Sequence, residues 1–195
     1  MIDPLVQHYV RLIRTHGLDE EFCYTVVTSA TGRVTLEAVA ESLGAGGDTS
    51  RRLRLHAWAD HDDSHVLLPQ QIDRAVAILE PFGYQGNSKD VLSRLSEHGE
   101  AWNTFWDVNM RSELICAAKG EPVAGRDFLE PDEKWGKDRD PFEPHRPLLA
   151  EYAELLGSRY PNGAAMAVIE RCSGVHLPID ALTGELPAVL LPLDR

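Results

Sequence analysis

Long apolar runs are missing from this sequence: nowhere does it approach the roughly 18 uninterrupted apolar residues that a membrane-crossing helix needs. Its opening, Met1-Ile2-Asp3-Pro4, lacks the basic-then-apolar layout of a secretory leader, so a cytoplasmic protein is expected. Cysteine is scarce. Cys23, Cys116 and Cys172 are odd in number, far apart and never in a C-x-x-C pair, which excludes a disulfide framework. Each sits in an apolar context, where a free thiol serves as a small hydrophobe. Basic residues are outnumbered as well. The 19 Lys and Arg against 31 Asp and Glu leave a net charge of −12. Such a chain cannot build the broad positive surface that displaces counterions from phosphate, so nucleic acid is not an expected partner. The one basic cluster, Arg51, Arg52 and Arg54, is too short to change this. An acidic excess keeps a protein soluble and steers it toward basic partners.

The familiar catalytic signatures are also lacking. Gly83-x-x-Gly86 has neither the Lys-Ser/Thr of a P-loop nor the third glycine of a dinucleotide fingerprint. Gly44-x-Gly46-Gly47 follows a helical pattern rather than a strand. There is no G-x-S-x-G elbow and no H-E-x-x-H helix. A non-enzymatic protein is therefore the leading expectation.

What is present is a chain of 195 residues with 43% apolar content, suited to a single domain that needs no staple. Pro4 to Arg14 carries Leu5, Tyr9, Leu12 and Ile13 on one stripe, an amphipathic helix closed by Gly17. Phe22 to Thr28 is a strand. Thr35 caps a helix with Leu36, Val39 and Leu43 inward and Gly44 at its end. Leu53, Leu55 and Ala57 alternate with Arg54, His56 and Trp58, as in a half-buried strand. Ala75 to Leu79 is apolar and strand-like, Gly83 and Gly86 supply a turn, and Asn87 or Ser88 caps a helix burying Val91 and Leu95. Trp102 to Asn109 alternates as a strand; Glu113 to Ala118 and Val123 to Phe128 form a hairpin about Lys119-Gly120.

Two strand–turn–helix–strand units predict an α+β fold: a duplicated, ferredoxin-like sandwich with an antiparallel sheet, its helices on one face, and C-terminal helices added. Chance likeness of two short amphipathic helices is the competing explanation. The core is expected at about 20–128. A polar arm at 129–147 crosses the surface, pinned by Trp135, Phe142 or both. Helices follow in 148–195, from Leu148 to Leu156 and from an Asn162 cap to Cys172, before Pro178 and Pro187 break the tail.

Glu80-Pro81-x-Gly83-x-x-Gly86, Val91-Leu92-x-x-Leu95-Ser96 and Phe105-Trp106-x-Val108-Asn109 form a recognisable series. Phe22-Cys23, Leu43-Gly44, Gly120 with the Phe128 strand, Trp135-Gly136 and Glu170-Arg171-x-x-Gly174-Val175-x-Leu177 extend it. Together they resemble the actinobacterial family of uncharacterised proteins catalogued as domain of unknown function 6461, over most of residues 20–178. The shared motifs are turns, helix ends and core strands, so the resemblance implies a fold and no activity. The Gly44–Ser50 loop and the His/Asp-rich insertion after Trp58 depart from it.

The densest chemical signal is His56-Ala57-Trp58-Ala59-Asp60-His61-Asp62-Asp63-Ser64-His65. His56, Asp60, His61 and His65 are ligand types for a divalent metal, and a metal-dependent hydrolase is the alternative function they raise. The competing reading is a solvated hairpin tip. Glu80, with Asp107 and Asn109, stands at or beyond strand ends and could serve acid–base work; against this, Glu80 before a Gly-rich turn is placed to accept backbone N–H bonds, and Asn109 to cap a strand. Trp102, Trp106 and Trp135 are either core or the centre of a recognition face, since tryptophan dominates binding energetics. The expectation is a protein-interaction module with another protein as partner, of the kind found among inhibitors, immunity proteins and accessory subunits. Its mark would be an exposed aromatic patch rimmed by Asp and Glu.

Overall fold

The computed structural model describes residues 2–61, 63–97, 99–136 and 140–193. Helix α1 (Pro4–His16) begins where the Asp3 carboxylate accepts the Leu5 and Val6 amides at 3.0 and 3.3 Å, and ends at Gly17, left-handed at φ 60°. Strand β1 (Phe22–Thr28) follows, then α2 (Leu36–Ser42), whose Thr35 hydroxyl accepts the Ala38 amide. Next come β2 (Arg52–Arg54), β3 (Ser64–Ile72), β4 (Ala75–Pro81), α3 (Lys89–Leu95) and β5 (Glu100–Trp106). The chain continues through β6 (Ser112–Ala118), β7 (Glu121–Asp127), β8 (Lys134–Gly136), α4 (Arg146–Ala153), α5 (Tyr160–Ser173), β9 (Glu185–Pro187) and β10 (Val189–Pro192).

Eight strands, among the described residues, form one antiparallel sheet in the order β10-β3-β4-β1-β5-β6-β7-β8. The protein is thus α+β. Its four central strands, β3-β4-β1-β5, are joined as β1-α2-β3 and β4-α3-β5, so each helix carries the chain over one intervening strand, as in a ferredoxin-like sandwich. The sheet is then widened by the β6–β7 hairpin and β8 on one side and by β10 on the other.

The pleat of β1 sorts the two faces. Cys23, Thr25 and Val27 point to the side where α2 and α3 pack, with Leu67, Ile78 and Ile115 in the same cluster. Phe22, Tyr24 and Val26 point to the other side, which the sequence leaves open between solvent, the arm and a partner. It is covered by α1, α4 and α5, the stretch Ala164–Ile169 of α5 being wholly buried. Burial on both faces explains why β1 reads as an almost unbroken apolar run rather than a clean alternation.

Several expectations change here. The expected strand over residues 53–58 is present only at its start and outside the main sheet: Arg52–Arg54 pairs with β9 in a separate two-stranded sheet, and Ala57–Asp60 coils into a 3-10 turn. The strand that completes the first unit is β3, whose Val66-Leu67-Leu68 run buries more apolar surface than the short alternation before it. Pro69 is tolerated there because β10 pairs with β3 only as far as Leu67, leaving Pro69 on an edge. Helix α5 starts two residues before Asn162, with Pro161 in its first turn, and has no side-chain cap. Both Trp135 and Phe142 pin the arm: Trp135 lies in β8, and Phe142 is fully buried edge-on to Trp102 at 6.0 Å.

Candidate protein-interaction rim

One end of the sheet gathers the features that packing does not explain. Pro81, Phe22 and Trp106 lie in one register row across β4, β1 and β5, so Phe82, Glu21 and Asp107 emerge side by side just beyond it. The Phe82 amide donates to the Glu21 carbonyl at 3.2 Å. Phe82 has φ 54° and Met110, in the β5–β6 loop, has φ 65°. For a side chain of L configuration this left-handed backbone costs about 1–2 kcal/mol. The other described non-glycine residues with positive φ, Asp73 and Lys119, are polar turn residues of the β3–β4 and β6–β7 hairpins at the opposite end. Phe82 and Met110 are apolar, strained and exposed, at 39% and 59%.

Each strained residue has a built support. Phe82 stacks on Trp58 with ring centroids 4.1 Å apart, and the neighbouring Tyr84 meets His65 edge-on at 5.6 Å. The β5–β6 loop is folded around Asp107, whose buried carboxylate accepts the Asn109 and Arg111 amides at 2.9 and 3.0 Å and the Arg111 guanidinium at 2.6 Å. Burial would raise the Asp107 carboxyl, but these hydrogen bonds, led by Arg111, hold it below its ordinary value. Folding inward in this way, Asp107 leaves Val108 and Met110 outermost, Val108 being 68% exposed.

Between this loop and the N-terminal end of α5 lies a recess of about 430 Å³, with Met110 and Val108 on one lip and Leu156 on the other. Trp106 and Phe128 floor it. Its charges lean negative: Arg159 is paired with Asp19 at 3.0 Å and Arg111 with Asp107, while Glu20 also lines it. Beside it, burial and then the nearby Asp107 raise the Glu21 carboxyl, with Arg111 opposing. Exposed apolar side chains thus stand against a surplus of carboxylates.

Beneath the Phe82–Tyr84 loop, Glu80 is almost wholly buried and accepts the Gly86 amide at 2.6 Å and the Gln85 amide at 2.9 Å. This is the turn-holding role that the Gly-rich sequence suggests. Cys23 lies against the same carboxylate, its thiol pushed well up by burial and next by Glu80; Asn103 donates to the sulfur at 3.1 Å and to the Thr25 hydroxyl at 2.9 Å. Glu80 is 1% exposed and Cys23 and Asn103 are fully buried, so the cluster packs beneath the loop as part of its support.

The other sequence candidates are placed as follows. Trp102 and Trp106 are not surface residues: both are within 5% of full burial, Trp106 donating its indole N–H to the Leu18 carbonyl at 3.0 Å. They are buried because the face they share is covered by α5, α1 and the arm. Trp135 is half-buried, bonded to Glu113 at 3.0 Å, with the Lys89 ammonium 4.6 Å over its ring. Asn109 is exposed at the tip of the Asp107 loop. His56 and Asp60 are exposed, His61 is half-buried, and His65 bonds the Gln85 side chain at 2.9 Å. Among the described residues no three His, Cys, Asp or Glu side chains come together as a metal would need, and Asp62 lies outside them. Nor is any described helix long and apolar enough to cross a membrane.

No family model matches the chain, and no curated protein or solved structure matches it. Phe82, Val108, Met110 and Leu156 escape a sequence search for recognition residues because it looks to tryptophan first. The available signal was Asp107-Val108-Asn109-Met110, where two apolar residues alternate with turn formers in a hairpin loop.

Proposed function

We propose that this protein is a non-enzymatic interaction module that binds another protein through the rim formed by Phe82, Val108, Met110 and Leu156. The observation that carries this reading is the pair Phe82 and Met110: bulky apolar residues held exposed in a disfavoured backbone conformation, both at the same end of the sheet. Folding alone would select Gly or Asn at both positions, so strain there signals a use outside the fold. The partner segment is basic with an apolar edge, because Glu20 lines the recess with no cation paired to it among the described residues, Glu21 stands at the same sheet end, and the molecule carries −12 overall. An inhibitor, an immunity-like protein or an accessory subunit of a bacterial assembly works through such a surface. The motif resemblance adds no activity, since its residues are turns, helix ends and core strands.

The test is a pull-down of wild type beside a Val108→Ser/Met110→Ser variant with unchanged circular dichroism. A stoichiometric partner held by wild type, lost by the variant and cross-linked through a Lys- or Arg-rich segment supports the reading. A partner retained by the variant, or none at all, rejects it.

A further inference from the structure

The turn that closes the loop carrying Phe82 and Tyr84 is held by a buried carboxyl group. Glu80 receives the amides of Gln85 and Gly86, one on each oxygen. The fit has no slack. A methyl group in place of the Gly86 hydrogen would come within 2.5 Å of the Thr25 hydroxyl, 2.6 Å of a Glu80 oxygen and 3.1 Å of the Cys23 sulfur. The donors to the carboxylate are two amides and the Cys23 thiol rather than a cation.

The titratable groups around it come from three strands. Cys23 on β1 touches it directly and is kept neutral by burial. His65 on β3 bonds the Gln85 side chain, and Glu113 on β6 accepts from the Asn87 side-chain amide at 3.3 Å. On β5 the facing residue is Asn103, which is uncharged and bound to the thiol.

We infer that Glu80 is a proton-controlled latch that sets how Phe82 and Tyr84 are presented. This rests on the reading of the rim as an interaction surface and adds its regulation. Ionised, the carboxylate clasps both amides and fixes the loop. A proton taken up on one oxygen turns it from a charged acceptor into a neutral hydroxyl oxygen that accepts far more weakly, so the amide bond to it is loosened. Because Gly86 packs closely against this carboxyl, the loosened bond moves the turn, and Phe82 at φ 54° relaxes with it. Burial, opposed by the two amide bonds, brings the titration of this group to about 7, where a modest pH change alters the latch.

The test is a two-dimensional amide NMR titration of the free, uniformly labelled protein from about pH 5.5 to about 8.5. The Gln85 and Gly86 amides are expected to shift together with one midpoint near 7, and those of Phe82 and Tyr84 to follow the same midpoint. Glu80→Gln removes the transition. Should that variant not fold, the carbon resonance of the wild-type Glu80 carboxyl must show the same midpoint. Amides that stay flat, or Gln85 and Gly86 titrating while Phe82 and Tyr84 do not move, overturn the latch. No partner is used, so failure here is separate from failure of the rim: the latter appears as partner binding indifferent to Val108→Ser/Met110→Ser.

Discussion

At the scale of single residues, burial decides which candidates act and which merely fold. Glu80 carries a folded-state pKa of about 7 against an ordinary 4.5, because burial outweighs the two amide bonds. A raised acid favours the native state while protonated. Its contribution is complete below about 4.5 and is lost as pH climbs through 7, a change on the order of 3 kcal/mol. His145, held below its ordinary 6.5 by burial and by Arg171, works with the opposite sign, stability rising as it loses its proton. The difference between wild type and Glu80→Gln in urea melts therefore isolates the effect: the gap is expected to narrow or reverse in the variant's favour between pH 5 and pH 8, and a pH-independent gap would refute it. Trp102→Ala should cost about 3–5 kcal/mol, since the ring is buried against Phe142, and should weaken binding only in proportion to unfolding. Met110→Gly relieves a left-handed residue; thermal melts should show stability unchanged or raised by about 1 kcal/mol while partner binding falls.

At the scale of elements, the arm is held by charge as well as by Phe142. Arg126 is 1% exposed and bonds the Pro131 carbonyl, Asp140 and Glu143, which Lys134 also grips at 2.9 Å. Arg126→Ala leaves Asp140 without its main partner and should cost about 3–5 kcal/mol, with amide exchange accelerating first around 129–145; uniform acceleration across the sheet would contradict this. The elements themselves were largely legible. Phe22–Thr28, the Thr35 cap and the Gly17 and Gly174 helix ends follow from β-branched content and backbone conformation, which are local. Strand β3 was not, because its Pro69 argues against a strand until the edge position is known. The burial of Trp102 and Trp106 was equally hidden, since it depends on α5, which arrives some sixty residues later. The positive φ at Phe82 and Met110 was hidden too, since it is set by the Phe82–Glu21 backbone bond and by the loop folded around Asp107 rather than by residue type.

At the scale of the whole molecule, a ferredoxin-like centre with both faces covered leaves its loop-bearing ends as the surface free for function, and one end combines apolar lips with acidic charge. With −12 overall, association with a basic partner should be steered electrostatically, so the on-rate should fall steeply between low and physiological salt while the off-rate changes little. Stopped-flow mixing at several ionic strengths measures this, and a salt-independent on-rate would count against a basic partner. The most direct measurement is amide hydrogen exchange of the protein free and in its stoichiometric complex. The rim predicts new protection gathered in segments 82–86, 107–111 and 155–160; protection confined to the outer strands β8 and β10, with those three segments unchanged, would contradict it.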